Sequence, residues 1–431
     1  MEINRNFFSW GRVDRNSQKV FKPQSIDDLL NFTTNCKETI LPTGFRRSYG
    51  CSGINSSGIN IDMTKISGII KFDKEKQLIS CYSGTSLQDI INTILPHGFF
   101  LKVTPGSKFV SVGGAIANDV HGKNHSFEGT FGNTLQEIQI LNSEGQLLTC
   151  NKNKNRDLFF STIGGMGLTG IIIEATFEIK QIQSFYLDQE IIFFDGIDDF
   201  VIKSEHAQVN YEYVVGWIDC FSKKHKGFMS CANFASDMNF KTQRRLNLRV
   251  PFELPKFILN KFSISLFNKA YYLLALLGPR KSKVYYDTFF YPLDSIKDWN
   301  LMYGKDGFFQ YQFVLPVEKA FAVKNILNLI NSSSIGSFLA VIKLFGKKDS
   351  FGELSFPREG ITLALDFQNV PNKVGPLFTK IDEIIKENGG RIYPAKYSTA
   401  AAMDLFCATT QLEKFLKYKD KMHNSDFWSM K

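Results

Sequence analysis

Short runs in which apolar and polar residues alternate fill the first 180 positions of the chain, and clusters of glycine, asparagine and serine separate them. This pattern predicts half-buried strands joined by turns. The strands are expected over 59–63, 69–72, 78–82, 138–141, 147–150 and 170–179. Ser86, with Asp89 three residues later, matches an N-terminal capping pattern and predicts a short helix over 86–95. A second short helix is expected over 157–163.

From about residue 185 the apolar runs become longer and more aromatic. Strands are predicted over 185–194, 209–220, 284–290, 308–315, 338–345 and 361–367, and helices over 317–332 and 373–388. This mixture indicates a sheet covered by helices, an α+β arrangement. The change of texture near residue 185 indicates a boundary between two domains.

Composition narrows the class of protein. Of the 431 residues 43% are hydrophobic, which is enough for the cores of two or three domains and excludes wholesale disorder. The chain contains no apolar run of about 18 residues, so no transmembrane helix is predicted. The first residues lack the apolar stretch of a secretory signal. Seven scattered cysteines, none in a CxxC pair, favour a reducing compartment and predict neither a disulfide framework nor a metal site.

The positive charge is concentrated in one segment, residues 241–283. It holds ten basic residues and one acidic residue, Glu253, so its net charge of +9 equals that of the whole chain. The rest of the chain is therefore neutral. Because no RNA-recognition or helix-turn-helix pattern accompanies this charge, a nucleic-acid partner is not expected.

Apolar side chains crowd between those charges. Thirteen large apolar or aromatic residues lie between positions 257 and 277, at helical spacings of three and four. Lysine and arginine beside phenylalanine, leucine and tyrosine are typical of a helix that lies in a membrane interface. Each basic side chain can add about 1 kcal/mol of attraction to an anionic leaflet. An amphipathic helix packed on its own domain gives the same pattern, so both interpretations stand at this stage.

Three glycine-bearing stretches occur at 42–50, 104–125 and 162–170. Glycine permits positive φ angles and a close approach of the backbone, so amide N–H groups can face phosphate oxygens. Arg47, Ser48 and Ser111 are further candidate donors. One such loop is most simply a turn. Three of them, each joined to short strands, favour a large cofactor.

The third stretch contains a literal GxGxxG sequence at residues 165–170. In a Rossmann dinucleotide site this motif follows a strand and opens a helix, which brings the pyrophosphate to the helix N-terminus. Here the predicted helix precedes the motif and the predicted strand follows it. The context therefore argues against a Rossmann site.

These motifs, taken in order along the chain, carry a family resemblance. Pro-Thr-Gly-x-x-x-Ser-Tyr-Gly at 42–50, Pro-Gly…Val-Gly-Gly-Ala-Ile-Ala at 105–117 and Gly-Gly-x-Gly-x-x-Gly-Ile-Ile at 164–172 resemble the FAD-binding domain of the vanillyl-alcohol-oxidase (p-cresol methylhydroxylase) superfamily. His-Gly-Lys-Asn-His at 121–125 and Gly-Arg-Ile-Tyr-Pro-Ala-Lys at 390–396 are similar to its decaprenylphosphoryl-β-D-ribose 2-oxidase branch. The resemblance covers nearly the whole chain.

The resemblance implies two domains. The first is a two-part FAD-binding domain of the p-cresol methylhydroxylase type, residues 1–184 completed by 391–431. The second is an antiparallel-sheet substrate domain, residues 185–390, which includes segment 241–283 as a membrane-facing excursion.

The FAD contacts that the resemblance implies lie mainly in the first two glycine stretches. They are Thr43, Gly44, Phe45, Arg46, Arg47, Ser48, Tyr49, Gly50, Cys51, Ser52, Gly106, Ser111, Val112, Gly113, Gly114, Asn118, Asp119, Val120, His121, Ile172 and Tyr393. Arg47 stands where many relatives carry a histidine that tethers the flavin, so non-covalent FAD is expected. A tether through His121 is the alternative.

Oxidation of a secondary alcohol requires a hydride acceptor and a base for the hydroxyl proton. Lys396 is the family-matched candidate near the flavin and the substrate hydroxyl. The further candidate catalytic residues are His121, Tyr49, Lys343 and Gln312. Lys343 interrupts an apolar strand, which indicates an inward role at phosphate or flavin, unless the side chain points outward. The candidate substrate-binding residues are Trp217, Tyr291, Gln310, Gln312, Lys343 and Lys396.

The resemblance implies FAD-dependent oxidation of the 2-hydroxyl of a polyprenyl-phosphoryl pentose (ribose) to the 2-keto sugar. A short-chain dehydrogenase-type reductase would complete the epimerisation to arabinose for cell-envelope glycans. The lipid tail implies a cytoplasmic enzyme, peripheral at the anionic inner face of the plasma membrane and held there through 241–283. A soluble sugar-alcohol or aldonolactone oxidase, and a non-catalytic lipid-surface protein, are the alternatives. Cys51 and Ala364 stand where relatives carry aspartate and cysteine.

Overall fold

The first sheet comes from short strands near the N-terminus. The computed structural model describes residues 2–4, 6–333, 335–407 and 410–431. The strands of this sheet are β1 (Glu2–Asn4), β2 (Gln18–Phe21), β3 (Ile40–Thr43) and β4 (Ile59–Asp62). They lie in the order β1-β2-β4-β3, and β4 is parallel to both β2 and β3. The first glycine stretch therefore leaves the sheet at the end of an edge strand, β3.

The second sheet is antiparallel. Its strands are β5 (Ile69–Asp73), β6 (Leu78–Tyr82), β7 (Phe99–Leu101), β8 (Leu135–Leu141), β9 (Leu147–Asn151) and β10 (Ile171–Gln181). They follow the order β5-β6-β10-β8-β9, and β7 also pairs with β10. The hairpin expected between residues 141 and 147 is confirmed, because Leu141 pairs with Leu147.

The third sheet is the largest, with eight strands, and all its pairs are antiparallel. The remaining strands of the chain are β11 (Tyr186–Asp195), β12 (Tyr213–Ile218), β13 (Lys226–Phe234), β14 (Leu248–Arg249), β15 (Lys281–Tyr285), β16 (Ile296–Lys297), β17 (Phe308–Leu315), β18 (Ala340–Phe345), β19 (Gly360–Gln368) and β20 (Arg391–Ile392). The order in the third sheet is β15-β11-β13-β12-β18-β19-β17-β20, whereas β14 and β16 pair only with each other.

Twelve α-helices occur in the described ranges. They are α1 (Ile26–Asn35), α2 (Leu87–Ile94), α3 (Val112–Ala117), α4 (His125–Glu128), α5 (Arg156–Thr162), α6 (Ile197–Asn210), α7 (Lys261–Leu277), α8 (Tyr286–Phe290), α9 (Ala320–Ser332), α10 (Pro371–Glu387), α11 (Ala400–Cys407) and α12 (Leu412–Leu416). The predicted cap of α2 is confirmed, since the Ser86 hydroxyl accepts a hydrogen bond of 3.0 Å from the Asp89 amide.

The third sheet has two chemically different faces, because successive strand residues point to opposite sides. Ile342 and Leu344 of β18 join the core cluster that includes residues of α6, α9 and α10, as do Leu363 and Leu365 of β19. The residues between them point the other way. Helices cover one face, as the α+β prediction requires, and the opposite face is free to form a site.

Two predicted strands are wrong in part. The run 209–220 begins in helix α6, and β12 starts only at Tyr213. The run 284–290 is a strand only to Tyr285 and continues as helix α8. Its aromatic residues favour a strand locally, but Phe290 packs edge-on against Tyr213 at 4.9 Å between ring centroids. Tertiary packing of this kind overrides β-propensity.

The basic segment 241–283 contains β14, a 3₁₀ turn at Lys256–Ile258, α7 and the start of β15. Most large apolar side chains of α7 are exposed, including Phe262 (78%), Leu274 (69%) and Leu277 (84%). Only Ile264 and Asn268 of this helix are buried. Among the described helices, none is both long enough and apolar enough to cross a bilayer.

The C-terminal segment returns to the N-terminal part of the chain. His423 forms an isolated bridge with Ile40 of β3, and the Asp426 amide donates to the Ile54 carbonyl at 2.8 Å. Strand β20, by contrast, pairs with β17 in the third sheet. The boundaries at residues 184 and 390 stay a prediction.

Candidate active site

A cavity of about 1160 Å³ lies between the glycine loops and the face of the third sheet opposite α6, α9 and α10. Most small-molecule sites have volumes of about 300–1,000 Å³. This cavity is large enough for a long cofactor together with a substrate. We call the side formed by the glycine loops the floor and the side formed by the third sheet the roof.

The floor is made chiefly of backbone. In the described part of the chain, the amide N–H groups of residues 45–48 have no hydrogen-bond partner, and Arg46 has a positive φ of 53°. A Cβ atom on Gly44 would lie 2.0 Å from the Ser111 hydroxyl, so only glycine fits there. Ser111 in turn caps α3 by accepting from the Gly114 amide at 3.2 Å. Free amides beside a capped helix start form a cradle for anionic oxygens.

Two buried hydroxyl groups extend this polar surface. Ser52 and Ser83 are each 3% exposed, line the cavity, and have no partner within the described residues. Unpaired buried hydroxyls are costly unless a ligand satisfies them. Free amides and unpaired hydroxyls are the hydrogen-bond donors that the pyrophosphate and ribityl groups of FAD require, and the close-packed glycines let these groups approach the backbone. The floor therefore fits this cofactor.

Most of the expected FAD contacts line this cavity. The exceptions are Cys51, Val112 and Asp119. Asp119 is fully buried beneath the floor, where it accepts from the Gly132 amide at 2.8 Å and the Ser355 hydroxyl at 2.5 Å. Burial raises the pKa of Asp119 to about 6. Asp119 therefore supports the floor from below and does not line the cavity.

Arg47 and Tyr393 lie at the two sides of the floor. Arg47 donates from Nε to the Phe109 carbonyl at 3.2 Å, and its guanidinium lies 4.0 Å from the centre of the Trp10 ring. The Tyr393 hydroxyl donates to the Asn118 carbonyl at 2.8 Å. Both side chains are held by the protein, and the guanidinium of Arg47 offers no nucleophile for a flavin tether.

The roof is a regular array. Six neighbouring strands each place two residues, separated by one, in the lining: Gln189 and Ile191, Phe228 and Ser230, Val215 and Trp217, Val341 and Lys343, Thr362 and Ala364, and Gln310 and Gln312. The strand register aligns five of these lining residues, one from each of five neighbouring strands, in a single row: Phe228-Trp217-Val341-Ala364-Gln312. The period-two alternation of each strand thus becomes a continuous surface.

His121 connects the floor to the roof. Its Nδ1 atom lies 2.8 Å from Lys343 Nζ, and its Nε2 atom lies 3.0 Å from the Gln312 amide nitrogen. Lys343 also donates to the Gly122 carbonyl at 3.1 Å. Burial, and next the charge of Lys343, hold the pKa of His121 well below its usual value. The imidazole is therefore neutral, and Lys343 donates to it.

A second cluster surrounds Lys396. The Lys396 ammonium lies 4.1 Å from the centre of the Tyr49 ring, and Gln310 donates to Asp366 at 2.6 Å. Asp366 also accepts from the Tyr303 hydroxyl at 3.3 Å. Burial lowers the pKa of Lys396 and raises that of Asp366, while their mutual attraction opposes both shifts. Titratable groups whose pKa values are moved toward neutral pH inside a cavity are candidates for proton transfer.

Two candidate substrate residues take different positions. Trp217 lines the cavity, and its indole N–H donates to the Phe338 carbonyl at 3.0 Å. Tyr291 is fully buried outside the lining, and its hydroxyl pairs with Thr104 at 2.6 Å. Tyr291 therefore supports the wall and does not face the cavity.

Two charged residues, buried Asp366 and half-buried Lys123, are additions to the expected set. Asp366 lies in strand β19, where a carboxylate among apolar residues is the same signal that singles out Lys343. Lys123 lines the cavity beside His121, and its ammonium donates to the Phe289 carbonyl. Burial lowers the pKa values of Lys123 and Lys343 to about 7 each. The only sequence signal for Lys123 is its place two residues after His121 in the motif at 121–125.

The comparisons with known proteins agree with this geometry. Residues 17–151 match a family model described as an FAD binding domain. Decaprenylphosphoryl-β-D-ribose oxidase of Mycolicibacterium smegmatis is 32% identical over 96% of this chain and 94% of that protein. Cytokinin dehydrogenase 2 of Arabidopsis thaliana is 27% identical over 36% of this chain and 32% of its own length. D-arabinono-1,4-lactone oxidase of Candida glabrata is 23% identical over 51% of this chain and 43% of that protein.

Proposed function

The chain belongs to the family of FAD-linked oxidases that contains decaprenylphosphoryl-β-D-ribose oxidase, and on this premise we propose that it oxidises the 2-hydroxyl of a polyprenyl-phosphoryl pentose, ribose, to the 2-keto sugar. It is an FAD-dependent oxidoreductase that acts on a CH–OH group. FAD, when bound, supplies the hydride acceptor for this oxidation. The residues of the chain supply binding, orientation and a place for the hydroxyl proton.

One observation carries the substrate assignment. The same cavity is lined by Gly44 and Ser111 of the floor and by Phe267 and Tyr271 of helix α7, which closes the β12 and β13 end of the roof. A polar head can therefore reach the cofactor loops while an attached lipid leaves over α7. A soluble sugar or lactone has no use for that second end.

The sugar is held at the polar end of the roof. Gln310, Gln312 and Tyr49 present amide and hydroxyl groups to the pentose hydroxyls there. Lys396, steadied by Asp366, lies beside Tyr49 and takes part in removing the 2-hydroxyl proton. Burial lowers the pKa of Lys396 toward neutral pH, where a group with a matching pKa transfers protons efficiently.

The lipid end meets an anionic membrane surface. The exposed leucines and phenylalanines of α7 form an apolar face, and the surrounding segment carries nearly all the excess positive charge of the chain. An apolar face with basic residues around it is the composition of an interfacial helix. We place the enzyme as a peripheral protein at the inner face of the plasma membrane.

The 2-keto product requires a reduction to become an epimer. A short-chain dehydrogenase-type reductase is the partner that fits this step, and the combined result is arabinose for cell-envelope glycans. FAD is held without a covalent bond, because Nδ1 of His121 already accepts from Lys343 and Arg47 offers no nucleophile.

Anaerobic bleaching of the flavin absorbance tests the function. Farnesylphosphoryl-β-D-ribose should reduce the bound flavin, whereas D-arabinono-1,4-lactone and free sugar alcohols should not. Reduction by the lactone alone would replace the proposal with a soluble oxidase. A protein that retains no flavin would favour a lipid-surface role. Acid precipitation of the yellow protein should release the flavin into the supernatant, and a yellow pellet would point to a tether.

A further inference from the structure

The roof changes chemically from one edge to the other. At the β17 and β19 edge it presents Gln310, Gln312 and Thr362, and Asp366, on the same face of β19, pairs with Gln310 across the two strands. At the β12 and β13 edge it presents Trp217 and Phe228, and beyond them lie Ser230 of β13 and Gln189 of β11, which are hydrogen-bonded to each other at 2.8 Å. Because the strands are neighbours in one sheet, this change follows the strand order and not the chain order.

The β12 and β13 edge is closed by helix α7. Tyr271 packs edge-on against Trp217, with 5.0 Å between ring centroids, and lies 5.5 Å from Phe228. Phe267 stacks on Tyr271 at 5.9 Å. These four aromatic side chains all line the cavity. They form a slot of apolar and aromatic surface, which suits a hydrocarbon chain.

Two amines lie between the edges. Lys343 stands on β18, the strand between β19 and β12. Lys123 belongs to the floor, lines the same cavity, and accepts through its carbonyl from the Val214 amide of β12 at 2.9 Å. No described carboxylate raises the pKa of either amine, although Lys123 and Lys396 both lower that of Lys343. An ammonium group has three donors. Lys343 uses two of its donors in hydrogen bonds to His121 and Gly122, and Lys123 uses one in a hydrogen bond to Phe289, so both ammonium groups keep donors for a ligand.

The covalent structure of the substrate sets how far the phosphate can lie from the reacting carbon. C2 of the pentose reaches the phosphorus through C1 and one oxygen atom. Neighbouring strands are about 5 Å apart. The phosphate must therefore lie within one or two strands of the residues that hold the sugar, which brings it to β18.

We propose that the roof binds the substrate in strand order: the pentose at β17 and β19, the phosphate between Lys343 and Lys123, and the first isoprenyl units in the slot of Trp217, Phe228, Phe267 and Tyr271. This assignment rests on the proposed function and adds to it the position of each part of the substrate. Buried cations without carboxylates are costly, and the phosphate supplies the missing negative charge.

Equilibrium binding to the holoenzyme tests the phosphate position without turnover. The probes are farnesyl phosphate and farnesol, measured by calorimetry. In Lys343→Met and Lys123→Met we expect the Kd of farnesyl phosphate to rise at least about tenfold, the value of a charged hydrogen bond. The Kd of farnesol should change less than about twofold. Lys348→Met, an exposed lysine beyond the same strand, should leave both values unchanged. Equal losses for both probes, or no loss for either, would overturn the phosphate assignment.

Tyr271→Ala tests the slot. It should weaken the binding of farnesyl phosphate and farnesol by the same factor, about two- to tenfold for an aromatic contact by a side chain that is 41% exposed, and should reduce the advantage of farnesyl over geranyl phosphate. An unchanged preference for the longer chain would refute the slot.

The pH dependence provides a further readout. Because the two amines lose their protons above about pH 7 in the free enzyme, farnesyl phosphate should bind more weakly at pH 9 than at pH 7, and farnesol equally at both. His121 is neutral over this range, whereas Lys396, with a pKa of about 8, also loses its proton, so the pH change should be lost in Lys343→Met and Lys123→Met and retained in Lys396→Met. If the wild-type enzyme binds no farnesyl phosphate, the proposed function itself fails. If it binds the probe but the variants match the wild type, only the placement fails.

Discussion

The floor and the roof of the cavity are built by different means. The floor offers backbone amides in loops where Gly44 has no room for a side chain. The roof offers side chains from six strands whose backbones are fully paired in the sheet. A site made of backbone tolerates few changes of sequence, whereas a site made of side chains can change its ligand one residue at a time. The floor therefore suits a constant cofactor, and the roof suits a substrate that differs between relatives.

The strongest test of this comparison is the loss of chemistry without loss of cofactor. Lys396→Met removes the roof-side amine beside Tyr49 and Asp366, so we expect turnover to fall about 10²- to 10⁴-fold while flavin absorbance per protein stays constant. Stopped-flow reduction of the flavin measures the first quantity, and the visible spectrum measures the second. Lys414→Met, at an exposed lysine, is the matched control. Loss of flavin in Lys396→Met would show that the roof also holds the cofactor.

The converse change removes the cofactor through the floor. In Gly44→Val the new side chain must displace Ser111, since even a Cβ atom would lie 2.0 Å from its hydroxyl. We expect FAD affinity to fall about 100-fold, with an unchanged far-UV circular dichroism spectrum. Gly375→Ala is the control, because a Cβ atom there meets nothing within 4 Å. Retained flavin in Gly44→Val would contradict a floor made of close-packed backbone.

The third prediction concerns the effect of the roof residue Lys343 on the free energy of unfolding. Lys343 is half-buried beside His121, and desolvation lowers its pKa to about 7, well below the usual value of 10.5 for lysine. The unfolded chain therefore binds more protons than the folded one between those values, and stability rises with pH across that range. Lys343→Met removes the buried charge and should stabilise the substrate-free protein by about 1–2 kcal/mol at pH 7.

Thermal unfolding at two pH values checks this prediction. The Tm of Lys343→Met should exceed that of the wild type at pH 7, and the difference should narrow at pH 9. A variant less stable than the wild type at pH 7 would mean that the bonds of Lys343 to His121 and Gly122 outweigh the burial of its charge.

The smallest expected effect lies outside the cavity, on α7. Leu277 is 84% exposed, so Leu277→Ser should leave the fold and flavin content intact. Binding to vesicles that contain anionic lipid should weaken about fivefold, the loss of part of one leucine side chain from the interface. Sedimentation with vesicles measures this. Val209→Ser, an exposed apolar residue on α6, is the control and should bind like the wild type.

The difference between floor and roof also decides what the sequence can reveal. Glycine spacing in 42–50 and 104–125 reports the floor directly, because each close approach excludes side chains. No comparable motif marks the roof, since its lining residues belong to strands that meet only in the folded sheet. Lys343 and Asp366 carry a signal, a charge inside an apolar strand. Phe228 and Ser230 carry none, because their strand lies outside the predicted elements.

Local patterns predicted the elements well where local interactions determine them. Ser86 caps α2 as expected, and the run 308–315 forms β17 with the expected bounds. The run 284–290 fails because its fate depends on packing: Phe290 joins Tyr213 and Phe100 in the core of the second sheet. Helix α6 buries Ile197, Phe200, Ser204 and Ala207 at helical spacing, a signal that its polar composition obscures.

The exposed apolar face of α7 has a consequence for enzyme kinetics. A substrate whose tail stays in the bilayer is met by lateral diffusion in two dimensions once the enzyme is adsorbed. The rate should then follow the mole fraction of substrate in the lipid surface, and adding inert lipid at constant total substrate should slow turnover by dilution. Bulk concentration would govern only the amount of enzyme adsorbed, so assays in detergent and on vesicles should report different saturation curves for the same active site.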